Sequence, residues 1–165
     1  MPHSVTRYHD ISVGHRVHNH ESKCRHLHGH NYRIHFTCKS DCAEFGNDIA
    51  NAELDSVGRV IDFSVVKEKL CMWIEEHWDH KFLAWDKDPL MGALHAISEN
   101  NPNISIENDR IFDESVVFAP FNPTAENMAQ YLVEVVGPQQ LQGTGVVLTE
   151  VRIEETAKCH ATFAL

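Results

Sequence analysis

Two segments near the start of the chain alternate apolar and polar residues, and histidines stand in the apolar row of both. In residues 6–17 that row consists of His9, Ile11, Val13, His15 and Val17. In residues 28–38 it consists of His28, His30, Tyr32, Ile34 and Phe36. Successive side chains of a strand point to opposite faces, so the alternation predicts two half-buried β-strands whose histidines face the core.

A core-facing imidazole costs free energy unless it is hydrogen-bonded or ligated. Satisfied core histidines are one interpretation of His15, His28 and His30, but their shared parity on two strands favours a metal site. Three neutral nitrogens would leave the fourth tetrahedral position of Zn²⁺ open, as in catalytic zinc sites. Cys24 could close that position as a structural ligand, or stay off the metal as a reactive thiol. Other candidate ligands or proton carriers are His18, His20 and His26.

Helical spacing of apolar residues appears in two further segments. After Asp62 the apolar residues recur every three or four positions, which predicts a helix that ends near residues 77–79. A second helix is expected to begin at Asn122-Pro123-Thr124, with Pro123 as its first residue and Asn or Thr as its cap. Gly137-Pro138 is expected to end it.

The remaining residues predict a third long strand and a polar excursion. Residues 145–155 alternate again, and Glu155 falls in the apolar row, which suits ligand binding or pairing with a buried base. Residues 86–115 are polar and weakly periodic, so we expect a surface excursion with a short helix near 90–98. A short strand is expected at 116–118. The element order indicates an α+β fold with neighbouring antiparallel strands, in a single domain over residues 1–165.

Composition narrows the classes of partner. The net charge of −10, from 24 acidic and 14 basic residues, argues against nucleic-acid and anionic-membrane partners. Five cysteines without a C-x-x-C pair indicate a reduced, cytoplasmic protein rather than a disulfide framework. We interpret Cys38 and Cys42 as ordinary small side chains rather than a metal pair.

The dipeptide Asp79-His80 follows the first predicted helix. A carboxylate beside an imidazole can orient it or tune it as a proton carrier. Adjacent residues of a strand point to opposite faces, so direct contact between the two side chains is not required by the sequence.

These motifs, in this order, resemble the 6-pyruvoyl-tetrahydropterin synthase / 6-carboxytetrahydropterin synthase family. The matching stretches are Gly14-His15-Arg16, Lys23-Cys24-x3-His28-Gly29-His30-Asn31-Tyr32, Val60-Ile61-Asp62-Phe63-Ser64-x2-Lys67, Asp79-His80-x-Phe82-Leu83, Asn122-Pro123-Thr124-Ala125-Glu126-Asn127 and Glu155-Thr156. The resemblance implies a tunnelling fold with a four-stranded antiparallel sheet and two helices on one face. It also implies a homohexamer of two stacked trimers, with active sites between subunits.

The resemblance further implies the roles of the site residues. His15, His28 and His30 would hold zinc. The catalytic set would be Cys24, Asp79 and His80, and the pterin substrate would be bound by Glu155 and Thr124. The implied substrate is 7,8-dihydroneopterin triphosphate, and a 6-carboxytetrahydropterin synthase would release acetaldehyde and triphosphate, toward 7-deazaguanine (queuosine-type) nucleosides.

Two alternatives to the carboxy-type lyase stay open. The three-residue gap between Cys24 and His28 resembles the carboxy branch, whereas the animal pyruvoyl branch has a longer gap. The first alternative is therefore 6-pyruvoyl-tetrahydropterin synthesis from the same substrate. The second is a non-catalytic pterin- or metal-binding oligomer, and the retention of Cys24, Asp79 and His80 counts against it.

Overall fold

The sheet of this protein is built from strands that are long near both ends of the chain and short in its middle. The computed structural model describes residues 3–41, 54–100 and 111–165. The strands are β1, Ser4–His15; β2, His28–Ser40; β3, Phe82–Trp85; β4, Val116–Ala119; β5, Val146–Thr156; and β6, Cys159–Ala164. The helices are α1, with consecutive segments Phe63–Val66, Lys67–Cys71 and Met72–His77; α2, Pro89–Asn100; α3, Ile111–Ser115; and α4, with segments Ala125–Tyr131, Leu132–Val136 and Gly137–Gln140.

In the described part of the chain, six strands form one mixed sheet in the order β4-β3-β1-β2-β5-β6. The pairs β1–β2, β2–β5 and β5–β6 are antiparallel, whereas β3 lies parallel to β1 and β4 parallel to β3. The expected α+β class is confirmed, but the expected four-stranded antiparallel sheet was incomplete. The four antiparallel strands are extended by two parallel strands of four residues each, β3 and β4.

The two long helices, α1 and α4, pack against the apolar row of the sheet. The strands contribute the buried residues Ile11, Val13, Tyr32, Ile34, Phe36, Val151 and Ile153. The helices contribute Val66, Leu70, Ile74, Met128, Leu132 and Val136. Each large apolar side chain buried in this way contributes about 1.5–3 kcal/mol to the stability of the fold. The packed layer therefore holds the strand ends in place. The middle segment of each long helix is π-helical.

Three predicted element boundaries were wrong. β1 ends at His15 because the Val17 N–H bonds to the Cys24 carbonyl, 2.8 Å away, outside the sheet. Helix α4 begins at Ala125 after a Thr124 cap, so Pro123 precedes the helix. It also continues through Gly137, where a Cβ atom would lie 2.9 Å from the Leu148 Cβ atom. This glycine therefore permits close packing of helix on strand rather than ending the helix.

The polar excursion contains more helix than strand. Its predicted short helix is confirmed as α2, and the predicted short strand as β4. Residues 101–110 and Cys42 lie outside the described residues. Among the helices that are described, none is long and apolar enough to cross a membrane.

Candidate metal centre and active site

The ends of β1 and β2 bring three histidines together. His15 pairs with His28 across the two strands, and His30 follows two residues later on the same face. Each ring offers one nitrogen, and these atoms lie within 4.8 Å of one another. His15 is buried at 1% exposure, whereas the other two rings are partly accessible. This cluster, predicted from alternation alone, could hold a metal ion.

Backbone carbonyls determine which nitrogen of two of these rings is free. The Pro123 carbonyl oxygen lies 2.7 Å from His15 Nδ1, and the His26 carbonyl oxygen lies 2.8 Å from His28 Nδ1. A carbonyl only accepts, so each Nδ1 carries a proton and each neutral ring keeps a lone pair on Nε2. Fixing a tautomer in this way is typical of the residues around a metal ligand.

The two free nitrogens face each other. His15 Nε2 and His28 Nε2 are 3.1 Å apart, and two lone pairs at that distance repel unless a proton or a cation lies between them. Burial lowers the pKa of His15 to about 4, which disfavours a proton. Two ligands of a tetrahedral zinc ion, at about 2.0–2.1 Å from it, lie roughly 3.3–3.4 Å apart. The observed spacing therefore fits a metal ion better than an empty pair.

His30 is the third member of the cluster. Its Nε2 atom is buried and forms no hydrogen bond, and Glu155 Oε1 lies 2.9 Å away. Burial lowers the pKa of His30, and the charge of Glu155 opposes this effect. The candidate ligand group among the described residues comprises the three histidines and does not include Cys24.

Cys24 lies in a single 3₁₀ turn, Lys23–Arg25, between the two histidine strands. Its thiol is partly exposed and forms no disulfide. The Tyr32 hydroxyl, 3.2 Å from His15 Nε2, has its pKa raised by burial, with smaller contributions from the charges of Glu155 and Cys24. The Glu155 carboxylate also lies beside the histidine cluster, 2.9 Å from His30 Nε2.

Asp79 and His80 contact each other directly, because they occupy a turn rather than a strand. His80 has a left-handed backbone with φ of 56°, and its Nδ1 lies 2.5 Å from Asp79 Oδ2. Asp79 Oδ1 accepts a hydrogen bond from the Ser12 N–H at 2.8 Å. Burial opposes ionisation of Asp79, but the bonds from Ser12 and His80 together lower its pKa. Asp79 is thus a fixed anionic partner for His80, whose side chain is 81% exposed.

One pocket is shared by His80 and two histidines of the cluster. It has a volume of about 570 Å³ and is lined by His28, His30 and His80 beside Gly14 and Gly29. In the described residues no hydrogen bond joins His80 to the histidine cluster. His80 therefore lines the same cavity as His28 and His30 without a hydrogen bond to the cluster.

Thr124 has a structural partner in this chain. Its hydroxyl caps helix α4 by accepting from the Asn127 N–H at 3.2 Å. Just before it, Asn122 bonds to both backbone groups of His18, which fixes the position of the Pro123 carbonyl beside His15. Of the other histidines considered from sequence, His18, His20 and His26 lie outside the candidate ligand group. Sequence reasoning missed the orienting carbonyls, because carbonyl positions depend on tertiary packing.

Comparison with known proteins identifies relatives that are named as tetrahydropterin synthases. The family model described as 6-pyruvoyl tetrahydropterin synthase matches residues 4–164. The 6-carboxy-5,6,7,8-tetrahydropterin synthase of Rickettsia felis is 30% identical over 154 residues, 93% of this chain and 94% of that protein. A Halobacterium salinarum protein named as a probable 6-carboxy-5,6,7,8-tetrahydropterin synthase is 31% identical over 97 residues, 59% of this chain and 53% of that protein.

Two solved structures share the fold. An uncharacterized protein of Wolinella succinogenes is 26% identical with a TM-score of 0.77, covering 99% of this chain and 98% of that one. The 6-pyruvoyl tetrahydropterin synthase of Caenorhabditis elegans is 20% identical with a TM-score of 0.58, covering 98% and 94%. These similarities confirm the tunnelling fold expected from the sequence motifs.

Proposed function

Because the chain belongs to the 6-pyruvoyl tetrahydropterin synthase family, we propose that it is a zinc-dependent 6-carboxy-5,6,7,8-tetrahydropterin synthase. The proposed lyase converts 7,8-dihydroneopterin triphosphate and water into 6-carboxytetrahydropterin, acetaldehyde and triphosphate. This reaction would serve 7-deazaguanine (queuosine-type) precursor synthesis in the cytoplasm. The observation that carries the proposal is the three-histidine cluster, whose candidate ligand atoms lie within 4.8 Å of one another.

The site residues divide into metal ligands and proton carriers. His15, His28 and His30 would hold zinc through their free nitrogens, and bound zinc would polarise the oxygens of the substrate side chain. Cys24 and His80 would move protons on that side chain. The Asp79 carboxylate would orient the His80 ring.

Glu155 would anchor the pterin. A carboxylate facing two N–H donors of the pterin's guanidine-like edge gives bidentate recognition. Its position 2.9 Å from His30 Nε2 supports this role, because a ring bound there would present its side chain to the metal ligands. Thr124 stays a proposed substrate contact beside its capping role.

The spacing of Cys24 and His28 favours the carboxy branch over the pyruvoyl branch. Three residues, 25–27, separate them, and the first of the three, Arg25, ends the turn that contains Cys24. The curated relatives named above as 6-carboxy synthases support the same choice.

A homohexamer is the proposed assembly. The outer strands β4 and β6 have no further strand beside them among the described residues, and such edges are available for pairing with another chain. Closure of several sheets into a barrel would remove these edges and place groups from neighbouring chains around one pocket.

The deciding experiment incubates the purified protein with 7,8-dihydroneopterin triphosphate and identifies the products by mass. We expect 6-carboxytetrahydropterin and acetaldehyde, and a retained three-carbon side chain would instead establish the pyruvoyl type. Cys24→Ala should abolish turnover, whereas Cys159→Ala, at an exposed cysteine on β6, should not. Pterin binding without any turnover would support the non-catalytic alternative, and activity after complete zinc removal would refute the metal mechanism.

A further inference from the structure

Arg16 directly follows the metal-ligand candidate His15 and bonds to three separate parts of the chain. Its Nε donates to Asp88 Oδ2 at 2.5 Å. Its Nη1 donates to the Arg25 carbonyl at 3.1 Å, and Nη2 lies 3.1 Å from His18 Nδ1. Only 15% of the Arg16 side chain is exposed. A guanidinium with these three contacts can hold them in one fixed geometry.

Asp88 is the buried end of this arrangement. Its side chain is 1% exposed, and Arg16 is its ion-pair partner at hydrogen-bond distance, with His18 Nδ1 at 4.0 Å. Its other oxygen accepts from the Leu90 N–H at 3.0 Å, in the first turn of α2. A carboxylate buried to this degree is stabilised by its cationic partner, because loss of either group leaves an unpaired buried charge.

Through the Arg25 carbonyl, Arg16 also contacts the turn that carries Cys24. The Arg25 carbonyl belongs to the last residue of that turn, and the Cys24 carbonyl accepts from the Val17 N–H at 2.8 Å. The side chain of Arg16 and the backbone of Val17 thus hold the turn from the segment that directly follows β1. The adjacent His26 carbonyl orients His28, so the same segment also fixes a metal ligand.

We propose that Asp88 and Arg16 are positioning residues that fix the Cys24 turn against the three-histidine centre. Asp88 holds the guanidinium, and the guanidinium holds the Arg25 carbonyl. The role of Cys24 as a catalytic thiol rests on the proposed function, but the holding of its turn does not. The inference makes the start of helix α2 part of the frame of the active site.

The test substitutes Asp88→Asn in the full-length, zinc-loaded protein. The amide oxygen can still accept from the Leu90 N–H, while the charge that holds Arg16 is lost. We expect kcat to fall roughly 10- to 100-fold with KM nearly unchanged, because the turn is misplaced while substrate contacts remain. Amide hydrogen exchange in peptides covering residues 22–26 should accelerate roughly tenfold, with smaller changes in β5.

Asp86→Asn is the matched control, because Asp86 is an exposed aspartate two residues away. Arg16→Gln should reproduce the Asp88→Asn effects, and the double variant should be no worse than either single one. If Asp88→Asn does not fold, kcat and amide exchange measured on Arg16→Gln test the proposal instead. A lower melting temperature with unchanged exchange in the turn and unchanged kcat would overturn the proposal.

Two outcomes separate this inference from the proposed function. The variants could show accelerated exchange at the Cys24 turn while the wild-type protein does not turn over the pterin. That result would support the positioning role of Asp88 and Arg16 and refute the proposed activity. Normal turnover by the wild-type protein, with exchange and kcat unchanged in both variants, would support the proposed activity and refute the positioning role of Asp88 and Arg16.

Discussion

The carbonyl oxygens of Pro123 and His26 give the histidine cluster its chemical character. Each holds an Nδ1 proton and so turns an Nε2 lone pair toward the same small space. Burial keeps His15 neutral near physiological pH, since its pKa lies at about 4. A neutral ring of this kind can act as a metal ligand, and the proposed roles in proton transfer belong to the exposed His80 and to Cys24.

The ionised Asp79 should stabilise the folded protein only above acidic pH. Its folded-state pKa lies below the ordinary value of 3.8, so its contribution is fully present above that value and is lost as pH falls through the folded-state pKa. We expect the difference in unfolding free energy between wild type and Asp79→Asn to shrink from pH 7 to pH 3. Urea titrations of both proteins at each pH measure this difference, and one that stays constant would contradict the prediction.

Thr124 can be tested as a helix cap and as a substrate contact in one pair of variants. Thr124→Ala removes the hydroxyl that accepts from the Asn127 N–H and should cost about 1 kcal/mol of stability. Thr124→Ser keeps the cap and should restore stability in urea unfolding. If the hydroxyl also contacts the pterin, Thr124→Ala raises KM and Thr124→Ser restores it. Equal stability of the two variants would be inconsistent with capping.

The residues of the metal cluster could be predicted from the sequence, because each histidine stands in the apolar row of its own strand. The pairing of Asp79 with His80 could not be predicted in its true form. It depends on a left-handed His80 backbone, a conformation that non-glycine residues seldom adopt and that no local pattern indicates. Arg16 and Asp88 are 72 positions apart, so their pairing becomes visible only in the folded protein.

At the scale of elements, the close approach of β1 and β2 sets the positions of the ligands. Gly14 pairs with Gly29, one step from the pair His15–His28. A Cβ atom on Gly29 would lie 2.8 Å from the Val13 carbonyl oxygen, a backbone atom that cannot rotate away. Glycine at this position allows the two strands to carry their histidines within ligand distance.

Gly29→Ala should therefore disturb the metal site through the backbone. The added methyl group should force β1 and β2 apart at a cost of about 1–3 kcal/mol. We expect zinc affinity to fall roughly tenfold or more, measured by competition with a chromophoric chelator. Gly92→Ala is the control, because a Cβ there meets nothing within 4 Å. Wild-type zinc affinity in Gly29→Ala would show that the strand spacing is not critical.

Element prediction succeeded where periodicity extends over ten or more residues. β1, β2, β5 and both long helices follow from such patterns, and the helix of the excursion was also expected. β3 was missed because it has only four residues. Its two inner residues, Leu83 and Ala84, point to opposite faces and are both buried, so no apolar–polar alternation appears. β6 was missed because its residues are mostly exposed, so no apolar row marks it.

At the scale of the whole molecule, the location of Asp79-His80 bears on how many chains build one site. Strand alternation places Ser12 and Asn31 on the face opposite His30, and these two side chains bond to each other at 2.7 Å. A pocket of about 550 Å³ on that face is lined by both of them together with Asp79 and His80. Asp79 and His80 thus line a pocket on this face, while His80 also lines the pocket of His28 and His30.

Mixed oligomers should show whether neighbouring chains complete each other's sites. Cys24→Ala and His80→Ala should each be inactive alone, although each retains the group that the other lacks. If one site takes Cys24 and His80 from different chains, a randomly reassembled equal mixture should regain roughly a quarter of wild-type activity, since both chains must supply the intact residue. Activity is measured after unfolding and joint refolding, with separately refolded proteins as the control. A mixture that stays inactive while forming mixed hexamers by native mass spectrometry would show that both residues act within one chain.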